Sequence, residues 1–152
     1  MQRISENLKG ALDTDSLFVI NSAHCLLKKE NAKEELKYFL ALLNSKLIGF
    51  YFQRMVNQGS KQTTIVSVSF VNGLPIRTVD FKNPSEKKMH DQLVALAERM
   101  RTLHGNLNLA SFDTDREPME RQIAATDKKI DELVYKLYGL TEEEIKIVEG
   151  DK

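Results

Sequence analysis

Residues 89–107 read MHDQLVALAERMRTLHGNL, and within them Met89, Leu93, Leu96, Met100, Leu103 and Leu107 stand 4, 3, 4, 3 and 4 residues apart. Steps that alternate between four and three return each side chain to one stripe of an α-helix and mark the a and d seam of a heptad. Met119, Ile123, Thr126, Ile130, Leu133 and Leu137 repeat the same steps with one polar member. Between the two sets, Gly105 to Pro118 holds Gly, Asn, Ser, Asp and Pro, which provides for a reversal of the chain. The spacing predicts two helices of about 20 residues, each ~30 Å long at 1.5 Å per residue, folded into an antiparallel pair. Gly139 stands where a helix-ending glycine belongs, and Thr141 with Glu144 reads as a capping box that opens a short further helix.

Toward the N-terminus the pattern changes. From about Asn31, Leu36, Phe39, Leu40, Leu43, Leu47, Phe50 and Phe52 recur at helical steps, and Tyr38, Leu42, Ile48, Tyr51, Met55 and Val56 widen the apolar stripe. A stripe covering most of the circumference belongs to a deeply buried helix. It should end near Asn57 to Gly59. Thr63 to Val71 is rich in β-branched residues and reads as a strand, Asn72-Gly73 as a turn, and Leu74-Pro75-Ile76 as a short edge segment. Residues 1–30 read as short strands: Leu17 to Ile20 and Cys25 to Leu27 are the apolar runs of a β-hairpin, with Asp13 to Ser16 as turn formers. The expected fold class is therefore α+β, a small β-sheet with a buried helix followed by an antiparallel heptad-patterned helical hairpin. Asp80 to Ser85 reads as the linker, giving a recognition-like part at 1–82 and a hairpin spacer with a short C-terminal helix at 83–152.

Composition bounds the function. With 152 residues, 41% hydrophobic and 29% charged, the chain can bury an ordinary core. Its single cysteine, Cys25, excludes a disulfide framework, and the longest apolar runs fall well short of the roughly 18 residues a membrane span needs. A cytoplasmic protein is expected. The 22 basic and 22 acidic residues cancel, but unevenly: residues 1–82 hold 11 Lys and Arg against 7 Asp and Glu, and residues 83–152 hold 11 against 15. The first part, at +4, can face an anion; the second, at −4, is a poor partner for phosphate.

Catalytic signatures are thin. His24, His90 and His104 are scattered and fit structural roles, and Cys25 has apolar neighbours. Neither a P-loop, a dinucleotide-binding glycine motif nor a nucleophile elbow occurs. Glu35-Leu36-Lys37 and Glu144-Ile145-Lys146 match half of a metal-dependent nuclease site, but each lies in helical pattern without a preceding Pro-Asp and fits a solvated helix face. The stretch Asn57 to Thr64 differs in kind, because it joins the buried helix to a strand and offers amide, hydroxyl and ammonium groups suited to phosphate oxygens or base edges. It can equally be an ordinary polar loop. As an interface it gives the candidate nucleic-acid-binding set Lys28, Lys29, Arg54, Gln58, Ser60, Lys61, Gln62, Thr63 and Arg77, with no catalytic or metal-ligating residue.

Phe18 to His24, Tyr38 to Ile48 with its Leu43-Asn44-Ser45, Leu74-Pro75-Ile76, the heptad helices and the closing Val134 to Ile145 occur in an order and spacing that resemble the TaqI-like C-terminal specificity domain. That family closes single-chain restriction-modification methyltransferases and is similar to the target-recognition domains of type I specificity subunits. The resemblance covers nearly the whole chain. It implies a non-catalytic module that docks at the major groove of double-stranded DNA and directs a methyltransferase or nuclease domain of the same polypeptide or of a partner subunit. The implied chemistry is adenine methylation with S-adenosylmethionine, and with magnesium for cleavage, but both belong to the parent enzyme. Asn-Pro-Pro-Tyr and the glycine-rich cofactor motif are absent from this sequence, so no cofactor is expected in the chain itself. A chain that opens at Met1 almost on a strand reads as a C-terminal fragment of a longer enzyme. Leu43, Asn44 and Ser45 match the family motif, with Asn44 or Ser45 expected to bond the backbone of a packed loop. The alternative function is a protein-protein assembly module that pairs through its hairpin, as a homodimer or with another protein, without binding DNA.

Overall fold

Leu42, Ser45 and Ile48 decide the first turn of the chain in space. Ser45 is extended (φ −70°, ψ 153°) and donates both its backbone N–H (3.1 Å) and its hydroxyl (2.7 Å) to the Leu42 carbonyl. The same hydroxyl accepts from the Ile48 N–H at 3.4 Å. One serine thus closes one helix and caps the next. The computed structural model describes residues 9–14, 24–58 and 71–150. Among the described residues are five helices: α1 (Leu36–Asn44), α2 (Lys46–Gln58), α3 (Pro84–Leu109), α4 (Asp113–Tyr138) and α5 (Glu142–Glu149). The continuous helix expected from Asn31 to Asn57 is two helices, because a serine cap redirects the backbone without disturbing the apolar spacing.

The antiparallel hairpin is present as α3 and α4, which pack along each other, but its reversal is shorter than the composition of Gly105 to Pro118 implied. Only Ala110 to Phe112 lie between the helices. Gly105 is helical and Pro118 falls in the second turn of α4. A lone interior glycine costs a helix about 1 kcal/mol, which 26 packed residues absorb. At the start of α3, Asn83 accepts from the Ser85 N–H (2.9 Å), and Pro84 occupies the first helical position, where no donor is needed. At the turn, the Arg116 guanidinium donates to the carbonyls of Leu107 (3.2 Å) and Ala110 (3.5 Å), adding to the single cap bond that Leu107 takes from the Ala110 N–H at the end of α3. Gly139 ends α4 in the left-handed conformation (φ 69°), with the Leu140 N–H reaching the Tyr135 carbonyl at 3.0 Å. Thr141 and Glu144 then cap α5 reciprocally, as their spacing predicts.

The small β-sheet is not found among the described residues. Among the described residues no strand occurs, and the α+β expectation gives way to an all-helical arrangement. The apolar run Leu17 to Ile20, and Thr63 to Phe70, lie outside the described residues. Within them, Cys25 to Leu27 is exposed coil, Val71 and Asn72 are helical, and residues 75–80 are irregular coil without a neighbouring strand. β-Propensity measures how well a residue fits a pleated, half-buried surface, so a β-rich run without a partner strand does not make a sheet. The backbone of 75–80 finds most of its partners among side chains instead, at Pro75, Arg77, Val79 and Asp80.

The core is built from every part of this frame. Tyr38, Ala41 and Leu42 of α1, Val79 of the segment 75–80, Leu93 and Ala97 of α3, and Ile130, Val134 and Leu137 of α4 form one buried cluster. The heptad seams therefore close on each other and on α1. His90, next to the seam, is 2% exposed and lies 5.1 Å from the rings of both Tyr38 and Phe81. Its Nε2 accepts the Glu35 N–H (3.2 Å), which places the ring proton on Nδ1, 2.9 Å from Asp91 Oδ1. No helix of the described residues is long and apolar enough to cross a membrane.

Candidate nucleic-acid interface

Lys28 and Lys29 lie in exposed coil before α1, and Arg54 is exposed on α2 with its guanidinium 5.0 Å from the centre of the Phe50 ring one turn earlier. That stacking holds a cation on an apolar platform while leaving its donors outward. Arg54 borders a cleft of about 600 Å³ between α2 and α5, shared with Gln53, Ile147 and Glu149. Gln58 is the last residue of α2, while Ser60, Lys61, Gln62 and Thr63 lie outside the described residues. The chain leaves α2 at Gln58 and is back beside it at Gly73, whose carbonyl lies 3.4 Å from the Tyr51 hydroxyl. Gln58 and Gly73 are thus both held at one helix.

Arg77 departs from the set. Its guanidinium pairs with Glu86 at 3.0 Å, and that carboxyl is held below the usual range by the Asp80 N–H and by Arg77 itself. Its backbone is the centre of a rack of side-chain bonds. The Tyr138 hydroxyl donates to the Pro75 carbonyl (2.7 Å) and accepts the Arg77 N–H (3.1 Å), and the Tyr38 hydroxyl donates to the Arg77 carbonyl (2.7 Å). Glu34 Oε1 accepts the Val79 N–H (3.0 Å) and Glu86 Oε2 the Asp80 N–H (2.9 Å). Burial pushes the Tyr38 and Tyr138 hydroxyls up and keeps them as donors, and for Tyr38 the nearby Tyr138 and Glu34 act the same way. For Glu34 burial raises the carboxyl, but the N–H groups of Val79, Glu34 and Lys33 win and hold it below the usual range. Sequence reasoning passed over these residues. The signal was available in the tyrosines: a Tyr on an apolar stripe carries a hydroxyl that must find a partner when the ring is buried.

Asn44 and Ser45 of the Leu-Asn-Ser motif bond backbone groups, as expected of them. Asn44 bonds Gly10 twice, accepting its N–H at 2.9 Å and donating to its carbonyl at 3.0 Å, and Ser45 links α1 to α2. The N-terminus of α2 is closed by Asp131 of α4, whose Oδ1 accepts the Lys46 N–H at 2.8 Å. Burial lifts the Asp131 carboxyl to about 6, against the pull of that N–H. The two nuclease-like triplets are committed to structure. Lys37 pairs with Glu98 (2.9 Å), which also holds Arg101 (2.8 Å), and these two cations, Arg101 first, lower the Glu98 carboxyl to about 2. Glu144 belongs to the capping box. Among the described residues no group of three His, Cys, Asp or Glu could hold a metal ion.

Comparison with known proteins gives these features a context. The model of the TaqI-like C-terminal specificity domain matches residues 1–76. The type II methyltransferases M.HincII and M.HindII of Haemophilus influenzae are each 32% identical to the chain over 102 residues, 64% of its length. The type II restriction enzyme and methyltransferase RM.Eco57I of Escherichia coli is 25% identical over 149 residues, 90% of the chain. The match spans 20%, 19% and 14% of those proteins, so the chain corresponds to about a fifth or less of the relatives it matches. No solved structure matches.

Proposed function

The chain belongs to the TaqI-like C-terminal specificity domain family, and from that membership we propose that it reads a target sequence in double-stranded DNA for an adenine methyltransferase or nuclease domain. The single observation that carries this reading is the family match over the more basic part of the chain, in company with relatives that are type II methyltransferases. S-adenosylmethionine and magnesium act, on this reading, in the parent enzyme, which works in the cytoplasm. Residues 1–82 serve as the recognition part and residues 83–152 as the spacer that faces protein.

The polar connection from Gln58 to Thr63, with Arg54, Lys28 and Lys29, is the contact surface. Gln58 ends α2, Gly73 beyond the connection lies against Tyr51 of the same helix, and Arg54 is exposed on it. Phosphate contacts position such a domain, and base-edge contacts specify the sequence. The hairpin seams, with Leu93 and Val134 fully enclosed, close within one chain, which favours recognition over assembly through an open seam. Selection of a random duplex pool with the full polypeptide tests the reading. Lys61→Ala combined with Gln62→Ala is expected to weaken preference for the selected sequence by tenfold or more, since a good base contact is worth ~1–3 kcal/mol. Unchanged affinity and unchanged preference would remove the connection from the interface.

A further inference from the structure

We propose that Tyr138 is a positioning residue for target recognition, through which the end of the helical hairpin sets the place of the backbone returning from the polar connection. The proposal rests on the reading of the chain as a DNA-recognition domain. The return limb passes Gly73 and runs as irregular coil through residues 75–80, with no strand beside it among the described residues. In a sheet, ladder bonds fix where such a segment lies along its own axis. Here that place is set by side chains, and the Tyr138 hydroxyl spends both its donor and its acceptor capacity on it, at Pro75 and at Arg77.

The geometry separates this role from simple packing. Tyr138 is the last residue of α4, anchored by the left-handed Gly139 and by the bond from Leu140 N–H to the Tyr135 carbonyl. Its ring packs against the buried cluster that includes Leu93 and Val134. The grip is therefore fixed to the buried core, while the gripped segment is the chain that leads out of the connection. Tyr38 holds the opposite group of Arg77, its carbonyl, from α1. Between them the two hydroxyls take three backbone groups within three residues. Removing one oxygen leaves the phenyl ring in the core and frees the Pro75 carbonyl and the Arg77 N–H, so the segment can slide while the core remains.

The test compares binding of the full polypeptide to its selected duplex and to a scrambled duplex at one salt concentration. Tyr138→Phe is expected to lower the ratio of the two affinities by about tenfold, the scale of losing one well-placed base contact, with binding to the scrambled duplex and its salt dependence unchanged. Partial unfolding cannot imitate this, because a smaller active fraction lowers both affinities together and leaves the ratio as it was. Tyr135→Phe is the control, since its hydroxyl bonds Glu149 of α5 at 2.7 Å and touches nothing on the segment. A ratio unchanged in Tyr138→Phe and in the double variant with Tyr38→Phe overturns the proposal, as does an equal fall in Tyr135→Phe. If the unaltered protein shows no preference among duplexes, the recognition reading itself fails, and the proposal with it.

Discussion

Asp131 is 3% exposed and sits at the N-terminus of α2, where a helix end favours negative charge. Burial outweighs that favour, and Asp127 on α4 and Glu149 on α5 add to the lift while Lys46 opposes it. The folded chain thus holds this proton more tightly than the unfolded chain. Its contribution to stability is complete below the ordinary carboxyl value of 3.8 and is lost as pH rises through about 6. A shift of that size corresponds to roughly 3 kcal/mol. Asp131→Asn keeps the acceptor for Lys46 and removes the titration. Urea melts of both proteins at pH 4 and pH 7 should show the variant gaining about 3 kcal/mol relative to the parent at the higher pH. Neither the role of Asp131 nor the grip of Tyr138 could be read from spacing, because their partners, Lys46 and Pro75, lie 85 and 63 residues away.

The helices show where local pattern is enough. The heptad steps found the hairpin because side chains three and four residues apart share a face whatever the rest of the chain does. Caps were legible at Thr141 and Gly139 for the same reason, each being a signal of a few consecutive residues. Ser45 was not, since its hydroxyl could have faced solvent within one long helix. The three-residue reversal was missed because Gly105 and Pro118 are helix breakers that packing overrode. Gly139, at φ 69° with no heavy atom within 4 Å of a built Cβ, isolates the backbone cost of ending a helix. Gly139→Ala should lower stability by about 1 kcal/mol, and Gly139→Asn by less, because asparagine tolerates the left-handed region better. Chemical denaturation of the two variants checks the order.

Across the whole molecule, one cluster joins α1, the segment 75–80, α3 and α4, so unfolding should be a single cooperative transition. Leu93 is fully buried at its centre. Leu93→Ala should cost about 2–5 kcal/mol, read as a lower urea midpoint, with tyrosine fluorescence and far-ultraviolet circular dichroism moving together. Two separated transitions would contradict the shared core. The error of fold class belongs to this scale. A β-rich sequence becomes a sheet only when another strand arrives, and in residues 75–80 the tyrosines of two helices arrived instead. The family resemblance carried further than the strand reading because it rests on the order of many short segments along the chain, which one misassigned element does not upset. The setting of His90 bears on how such domains recombine. Tyr38, Phe81 and the Glu35 amide that surround it all precede residue 83, while the imidazole follows it. Replacement of residues 1–82 by another segment would remove both rings and the donor at once. The incoming segment would have to restore an aromatic pair and an amide at the same spacing, or leave a buried nitrogen unsatisfied at about 1–3 kcal/mol. His90 thereby limits which grafts yield a folded enzyme.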